Sequence, residues 1–434
     1  MTEYRRLRVA LLGAGAVGSQ VAELLLRHGD ELADRAGASL ELSGIAVRDV
    51  NAKRDVDLPA ELFTTDAESL IVASDIVIEL MGGIEPARTN ILLALNSGAD
   101  VVTANKALLA THGPELFEAA NQVGASVHYE AAAAGAIPII RPLRDSLAGD
   151  RVVRIMGIVN GTTNYILDRM DSEGADFNEV LADAQRLGYA ESDPTADIEG
   201  FDAAQKAAIL ASLAFHTTVP LDAVYREGIT QITASMIEEA RAAGFVIKLL
   251  AVCERVTVDG AESISVRVYP ALVSRTHPLA AVHGANNAVF VEAEAAGSLM
   301  FYGAGAGGVQ TASAVLGDVV SAARRHIAGG VGLGESTRAN LPTVPIGHVV
   351  TRYQITLEVS DKAGVLASIA TILSDGGVSV ATVVQSIESE SDPTARLIIG
   401  THRATEQALS DTVKRLAASE VVDSVVSVLR VEGE

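Results

Sequence analysis

The sequence predicts an α/β protein in three parts: a doubly wound parallel sheet, an α+β middle and a small βαββαβ tail. Three observations predict it. The apolar run LRVALL (7–12) leads into Gly13-Ala14-Gly15-Ala16-Val17-Gly18 and then into an Ala/Leu-rich helical stretch. Strand-like apolar runs go on alternating with helical patterns to residue 140, which calls for a parallel sheet with right-handed crossovers. After the Pro/Gly-bearing ANLPTVPIGH (339–348), the order becomes strand, helix, strand, strand, helix, strand.

The elements follow in order. After LRVALL and the glycine loop, a helix is expected from Ser19. LELSGIAVRD and SDIVIELMGG read as strands, PARTNILLALNSG as a helix, and DVVTANK and SVHYEAAAAG as two further strands. Residues 1–140 make one domain. From Arg151 the pattern changes. RVVRIMGIVNGT is a strand, and two helices are expected after it, one of them DIEGFDAAQKAAILASLAF. ISVRVYPALVS and NNAVFVEAEAAGSLMFYG then alternate like strands with one solvated face. This gives an α+β domain over 141–304, and a helix in 305–330 is expected to pack back on the first domain. Residues 331–350 read as a linker and 351–434 as the tail domain.

Composition narrows the function. A chain of 434 residues is too long for one ordinary core. With 49% hydrophobic and 20% charged residues it is globular, and without Trp its cores must be built from Ala, Val, Leu and Ile. A formal net charge of -22 repels phosphate backbones and anionic membranes, so neither nucleic acid nor a membrane surface is an expected partner. No apolar run reaches the ~18 residues of a membrane span. The basic start MTEYRRLRVALLG lacks a secretory pattern, because Glu3 interrupts it and no cleavage site follows a hydrophobic core. The single cysteine, Cys253, permits no internal disulfide, and a cytoplasmic location is expected.

The glycine loop carries the first chemistry. Gly13 allows a tight turn, Gly15 leaves room for a pyrophosphate and Gly18 lets the helix pack closely. Ala16 and Val17 stand in this loop as further cofactor-binding candidates, and the start of the helix that follows offers free N–H groups and a partial positive charge to phosphates. The second strand ends Val47-Arg48-Asp49. Arg48 suits a ribose 2′-phosphate, which favours NADP, while NAD stays open.

Two lysines carry the second. Lys106, in VVTANKALLA, falls just past the C-terminal edge of a parallel strand, where ligands of open α/β sheets bind. GYAESDPTADIEGFDAAQK (188–206) crowds Glu191, Asp193, Asp197, Glu199 and Asp202 ahead of Lys206. Asp202 and Lys206 are four apart on one helix face. They are either an ordinary surface pair worth a few tenths of a kcal/mol or a proton-handling pair in a nearly apolar helix. Asp193 is expected only to orient its loop, and Asp197 and Glu199 to be helix-start acids favoured by the macrodipole.

With the glycine loop, TANKA, NGTTNYIL (160–167), GYAESDP, DIEGFDAAQK and FYGAGAGG in place, the chain resembles homoserine dehydrogenase over residues 7–330. The last part resembles an ACT domain, an amino-acid-sensing module, with Asp361, Gly364, Val365 and Leu366 in its first strand–helix turn. The resemblance implies a Rossmann-type cofactor domain and reversible conversion of L-homoserine and NAD(P)+ to L-aspartate 4-semialdehyde and NAD(P)H, in threonine and methionine biosynthesis. It implies that Lys206 is the proton donor, Asp202 its substrate-positioning neighbour, and Lys106 the lysine reaching substrate and nicotinamide. It implies that Gly188 and Glu191 hold the substrate's amino-acid end and that Gly303 and the glycines that follow it make a return contact to the cofactor. A monovalent cation, usually sodium, is implied on main-chain carbonyls at Glu130, Ala133, Gly135 and Ile137. Threonine is the implied allosteric ligand and a homo-oligomer, dimer or tetramer, the implied assembly. Deleting 350–434 is then expected to leave activity and abolish inhibition.

Two rival readings were open at this level. A phosphorylating semialdehyde dehydrogenase needs a nucleophilic cysteine, and Cys253 lies in the apolar KLLAVCERV. A catalytically silent, NADP-binding amino-acid sensor would not need both Lys106 and Lys206.

Overall fold

The computed structural model describes residues 4–329, 335, 337–386 and 394–433. Positions 330–334 and 336, where the expected 305–330 helix meets the expected linker, lie outside the described residues. The chain forms two compact units. One is Met1–Gly161 with Asp202–Asp222 and Asn286–Asn340; the other is Thr162–Phe201 with Ala223–Ala285 and Leu341–Glu434.

The first unit is built on six parallel strands: β1 (Arg5–Leu12), β2 (Ala38–Ala46), β3 (Phe63–Thr64), β4 (Ile76–Glu79), β5 (Asp100–Thr103) and β6 (Val127–His128). Their order, β3-β2-β1-β4-β5-β6, reverses direction at β1 and opens a crevice there. Helices cover both faces, so β1 is apolar on both, with Val9, Ala10, Leu11 and Leu12 fully buried. The helix Ala16–Arg27 contributes Val21, Ala22 and Leu25 to this core, and the helix Gly308–Ala328 contributes Ala312, Val315, Val319 and Ala323. Burying each Val or Leu side chain stabilises the fold by about 1.5–3 kcal/mol. Asp100, fully buried, accepts the Ser126 N–H at 2.7 Å and pairs with Arg325 near the end of the long helix.

Three local expectations are corrected. The first helix starts at Ala16, not Ser19, because Gly15 is already its cap. Of SVHYEAAAAG only Val127–His128 is strand; Glu130–Ala134 is helical, as an alanine run with nothing β-branched favours. Four helices rather than two follow the strand at 152: Gly161–Glu173, Phe177–Arg186, Thr195–Ile198 and Phe201–Phe215. That strand, β7 (Val152–Ile158), pairs antiparallel with β11 (Asn286–Ala293), which forms a hairpin with β12 (Gly297–Ala304).

The second unit is antiparallel in the main. β9 (Phe245–Val258) and β10 (Ala261–Ser274) form a long ribbon. β8 (Tyr225–Arg226) joins β10 in parallel. Beyond it β13 (Val350–Ser360), β14 (Val380–Ser386), β15 (Thr394–Thr401), the short β16 (Ala404–Thr405) and β17 (Val422–Glu432) follow, with helices Val365–Asp375 and Glu406–Ala417. The strands lie β17-β13-β15-β14 over a core that includes Ile355, Leu357, Ile369, Leu397 and Leu409. Arg430–Glu432 of β17 also run parallel to Ala271–Val273 of β10, so residues 351–434 share a sheet with the ribbon. Among the described residues no helix is long and apolar enough to cross a membrane.

Candidate functional site

The glycine loop of the first unit explains its own composition. Gly13 has φ 98°, and a Cβ there would sit 2.7 Å from the Leu80 carbonyl oxygen. A Cβ on Gly18 would lie 2.1 Å from the Gly13 carbonyl oxygen, so helix and turn touch through bare backbone. A Cβ on Gly15 would meet nothing within 4 Å. The helix beginning at Ala16 has no acidic residue in its first turn. A cavity of about 750 Å³ is lined by Gly13, Gly15, Val47, Arg48, Asp49 and Met81, among others. Open space at Gly15, N–H groups at a helix start and no nearby carboxylate in that turn fit the pyrophosphate of a dinucleotide.

Arg48 is exposed on the rim of this cavity. Asp49 is a turn residue whose carboxylate accepts the Asn51 N–H at 2.9 Å. Arg54 shares the rim; it donates to the Asp49 and Ala52 carbonyls and stacks on Phe63 at 4.2 Å. Gly303 pairs with Asn287, and a Cβ on it would meet the Ile137 side chain. It is Gly308 that packs on the glycine loop, its absent Cβ 2.8 Å from the Ala16 carbonyl oxygen. Gly308 is one of the glycines that follow Gly303 in GAGAGG.

The second cluster begins in the helix Phe201–Phe215, whose other faces are almost wholly alanine, leucine and isoleucine. Asp202 is 7% exposed and Lys206 8%, which removes the surface-pair reading. Their charged atoms are 2.8 Å apart. Lys106 Nζ lies 2.5 Å from the other Asp202 oxygen, and Asn160 Nδ2 donates to Asp202 at 3.0 Å. Lys206 Nζ also donates to the Val159 carbonyl at 2.7 Å. One carboxylate thus serves two ammoniums. Burial pushes the Asp202 carboxyl up, but Lys206 and Lys106 outweigh it and hold it well below the usual carboxylate range. The cluster keeps a net positive charge, suited to an oxygen on which negative charge develops.

Lys106 is aimed from below. It is the first residue of the helix Lys106–Val123, capped by Asn105, whose Oδ1 accepts the Leu108 N–H at 3.1 Å. Asn105 Nδ2 donates to the Gly83 carbonyl at 2.7 Å, tying the cap to the loop after β4. Glu79, fully buried, accepts from Thr103 Oγ1 at 2.7 Å and from the Met81 and Gly82 N–H groups. Sequence reasoning missed Glu79, Asn105 and Asn160. Asn105 carried a signal as a capping residue just before a helical pattern, and Asn160 opens the NGTTNYIL motif without a role having been read from it.

The other site candidates are placed as follows. Gly188 (φ 77°) and Glu191 belong to the second unit, where Glu191 is exposed and its carbonyl accepts from Gln185 at 3.1 Å. Asp193 accepts the Thr195 N–H and hydroxyl, a loop-orienting role. Glu199 caps the end of a short helix and accepts from Thr230 at 3.0 Å, so it is not a helix-start acid. Glu130, Ala133, Gly135 and Ile137 are all buried in one turn. The Glu130 carboxylate is committed to the N–H groups of Ile139, Ile140 and Arg141, so any cation there fits main-chain oxygens only. In the tail, Asp361 accepts from Gln385 at 3.3 Å, and Gly364 (φ 95°) precedes the helix that Val365 opens. Cys253 is fully buried in β9, and burial pushes its thiol up to about 12, which leaves no nucleophile for the phosphorylating rival.

Comparison with known proteins agrees with this geometry. Residues 13–130 match the family "Homoserine dehydrogenase, NAD binding domain" and residues 138–320 match "Homoserine dehydrogenase". A homoserine dehydrogenase of Corynebacterium glutamicum is 56% identical over 427 residues, 98% of this chain and 95% of that protein. A homoserine dehydrogenase crystal structure from Thiobacillus denitrificans superposes with a TM-score of 0.90 at 38% identity, covering 100% of this chain and 99% of the other. A hyperthermophilic archaeal homoserine dehydrogenase in complex with NADPH is 26% identical, with a TM-score of 0.61 over 75% of this chain and 99% of its own. A parallel sheet with a phosphate-ready glycine loop and a buried carboxylate shared by two lysines is therefore found in a chain that belongs to the homoserine dehydrogenase family of NAD(P)-dependent oxidoreductases.

Proposed function

We propose that the protein interconverts L-homoserine and L-aspartate 4-semialdehyde, with Lys206 as the proton-transferring group. The bound nicotinamide supplies the hydride acceptor for oxidation and the donor for reduction. As the aldehyde is reduced, Lys206 Nζ gives a proton to the oxygen that gains charge, and in oxidation it takes that proton back. Asp202 fixes both ammoniums, and Lys106 steadies the same oxygen. Glu191 and Gly188 are assigned to the substrate's amino-acid end, where a carboxylate suits an ammonium. The observation that carries the reading is the buried Asp202 carboxylate shared between two lysines. Replacing Lys206 by Ala is expected to lower turnover by about 10²–10⁴-fold with NADP affinity kept, followed by nicotinamide absorbance and by cofactor titration. Turnover at the parental rate removes the assignment.

Finer assignments rest on the same chain. NADP is preferred, supported by Arg48 on the cavity rim and by the archaeal relative's NADPH complex. Sodium sits on the main-chain oxygens of Glu130, Ala133, Gly135 and Ile137, supported by the burial of all four within one short stretch. The tail is an ACT domain that binds threonine near Asp361, Gly364 and Val365, supported by its strand order β17-β13-β15-β14. Exposed Val383 and Val384 on the outer strand β14 support pairing of copies. Deletion of 350–434 is no longer a clean test, because it would strip the buried Arg267 of its partner Glu432. Asp361→Ala in the full chain, with threonine inhibition as the readout, replaces it.

A further inference from the structure

The turn that leads into the site helix is held from one place. The Ile229 N–H donates to the Ile198 carbonyl at 2.8 Å, and the Arg226 guanidinium donates to the Glu199 carbonyl. Thr230 Oγ1 donates to the Glu199 carboxylate at 3.0 Å. The Arg226 guanidinium also lies over the Phe201 ring at 3.5 Å, close enough for a cation–π contact. Even Gly228 belongs to this seam, since a Cβ there would come within 2.4 Å of the Ile198 carbonyl oxygen. Asp202 is the residue that follows Phe201.

The clamp itself has little hold of its own. β8 is two residues long and pairs only Tyr225 and Arg226 with Arg267 and Val268; one further bond runs from the Glu227 N–H to the Val268 carbonyl at 2.8 Å. The charged restraint comes from the C-terminal strand. Arg430 Nη1 donates to Glu227 at 2.8 Å, while its other two nitrogens grip Glu406 at 2.9 and 3.0 Å. Arg430 stands on β17 and Glu406 opens the last helix, so one guanidinium joins two elements of the tail to the strand that clamps the turn.

We propose that Arg226 is a positioning residue for Asp202, and that the Glu227–Arg430 ion pair makes its grip depend on the C-terminal module. The inference rests on the Lys206 reading of the chemistry. Arg226 acts through the main chain: it fixes Glu199 and Phe201, and with them the first turn of the helix on which Asp202 meets two ammoniums. A misplacement of 1 Å far from the reacting atoms can lower a rate by about 10²-fold, so a partial loosening should be visible as a smaller loss. It also gives the tail a route to turnover that needs no contact with substrate.

The test uses the full-length protein and separates kcat from binding. Glu227→Gln keeps the side chain's shape and removes its charge. It is expected to lower kcat about tenfold, within the range set by such misplacement, with KM for homoserine and affinity for NADP held within about twofold. Arg226→Lys, which keeps charge but loses the planar stack, is expected to do the same and serves alone if Glu227→Gln does not fold. Wild-type kcat in the folded variant overturns the proposal, as does a loss that appears in NADP affinity rather than kcat. Lys206→Ala is run beside them. If it is inactive while Glu227→Gln is normal, only the clamp fails; if it is itself active, the chemical reading fails first.

Discussion

Each unit of the molecule buries a cluster of charges, and the two are built on opposite plans. In the first unit, one carboxylate, Asp202, faces two ammoniums, and Lys106 remains 42% exposed at its side chain. In the second, two guanidiniums face four carboxylates. Arg267, 1% exposed, reaches Glu254 at 2.8 Å and Glu432 at 3.2 Å and donates to the Tyr269 hydroxyl at 2.7 Å. Arg430 reaches Glu406 and Glu227. Burial would lower the Arg267 pKa, but Tyr269, Glu254 and Glu432 outweigh it and raise it. Arginine cannot give up its proton under working conditions and binds carboxylates through a rigid fork; lysine holds a movable proton on a flexible stem. The arginine cluster can therefore act only by holding main-chain elements in place, whereas the lysine cluster can move a proton. Burial alone does not mark a site; the choice of cation does.

The strongest way to break this comparison is Lys206→Arg. It keeps the charge beside Asp202 and removes the transferable proton, so turnover should fall about 10²–10⁴-fold, as for Lys206→Ala. An active arginine variant would mean that Lys206 supplies only charge. Next in size is Arg267→Met, which removes the guanidinium that Glu254 and Glu432 face. Unfolding in denaturant should show a loss of about 3–5 kcal/mol, while the folded fraction keeps its kcat. A large kcat loss in that folded fraction would erase the distinction between the clusters.

A pH series sharpens the lysine side. The folded pKa of Asp202 is lowered, so the carboxylate's contribution to stability is fully present above its unfolded value of about 3.9 and is lost as pH falls through the folded value. Thermal unfolding of the parent and of Asp202→Asn should therefore differ at pH 6 and converge only well into the acid range, below about pH 4. A gap that does not change with pH would place the effect in packing instead. The smallest effect expected is from Arg48→Ala, which should weaken NADP roughly tenfold, the order of one hydrogen bond to a charged group, and leave NAD nearly untouched in parallel titrations.

The sequence made some of this legible for physical reasons that can be named. The glycines at 13 and 18 report backbone approaches that no side chain permits, at Leu80 and Gly13, whereas Gly15 stands in open space. Asp202 and Lys206 were readable because helix periodicity puts residues four apart on one face. Their burial was not, since an i,i+4 pair looks the same in water as in a core. Glu79 gave no signal, and Asn160, though it opens NGTTNYIL, gave none of its bond to Asp202, because a carboxylate beneath a loop and an amide beside a distant aspartate are created by tertiary packing alone. The expected strand at 130–135 failed where alanine propensity and the bonds of Glu130 to three N–H groups prevailed over the alternating pattern of the parallel sheet. The tail read correctly as a string of elements, but not its seam: three residues of β17 run beside β10, and nothing local in VLRVEGE announces a second partner.

The lone thiol of Cys253, sealed inside β9, has a practical consequence. Maleimide and disulfide reagents have no native target on the folded chain, so a cysteine introduced at any exposed position becomes the single reactive handle. Pairs of such handles would let spin or fluorescent labels follow distances within the protein during turnover, without first stripping cysteines from the natural sequence.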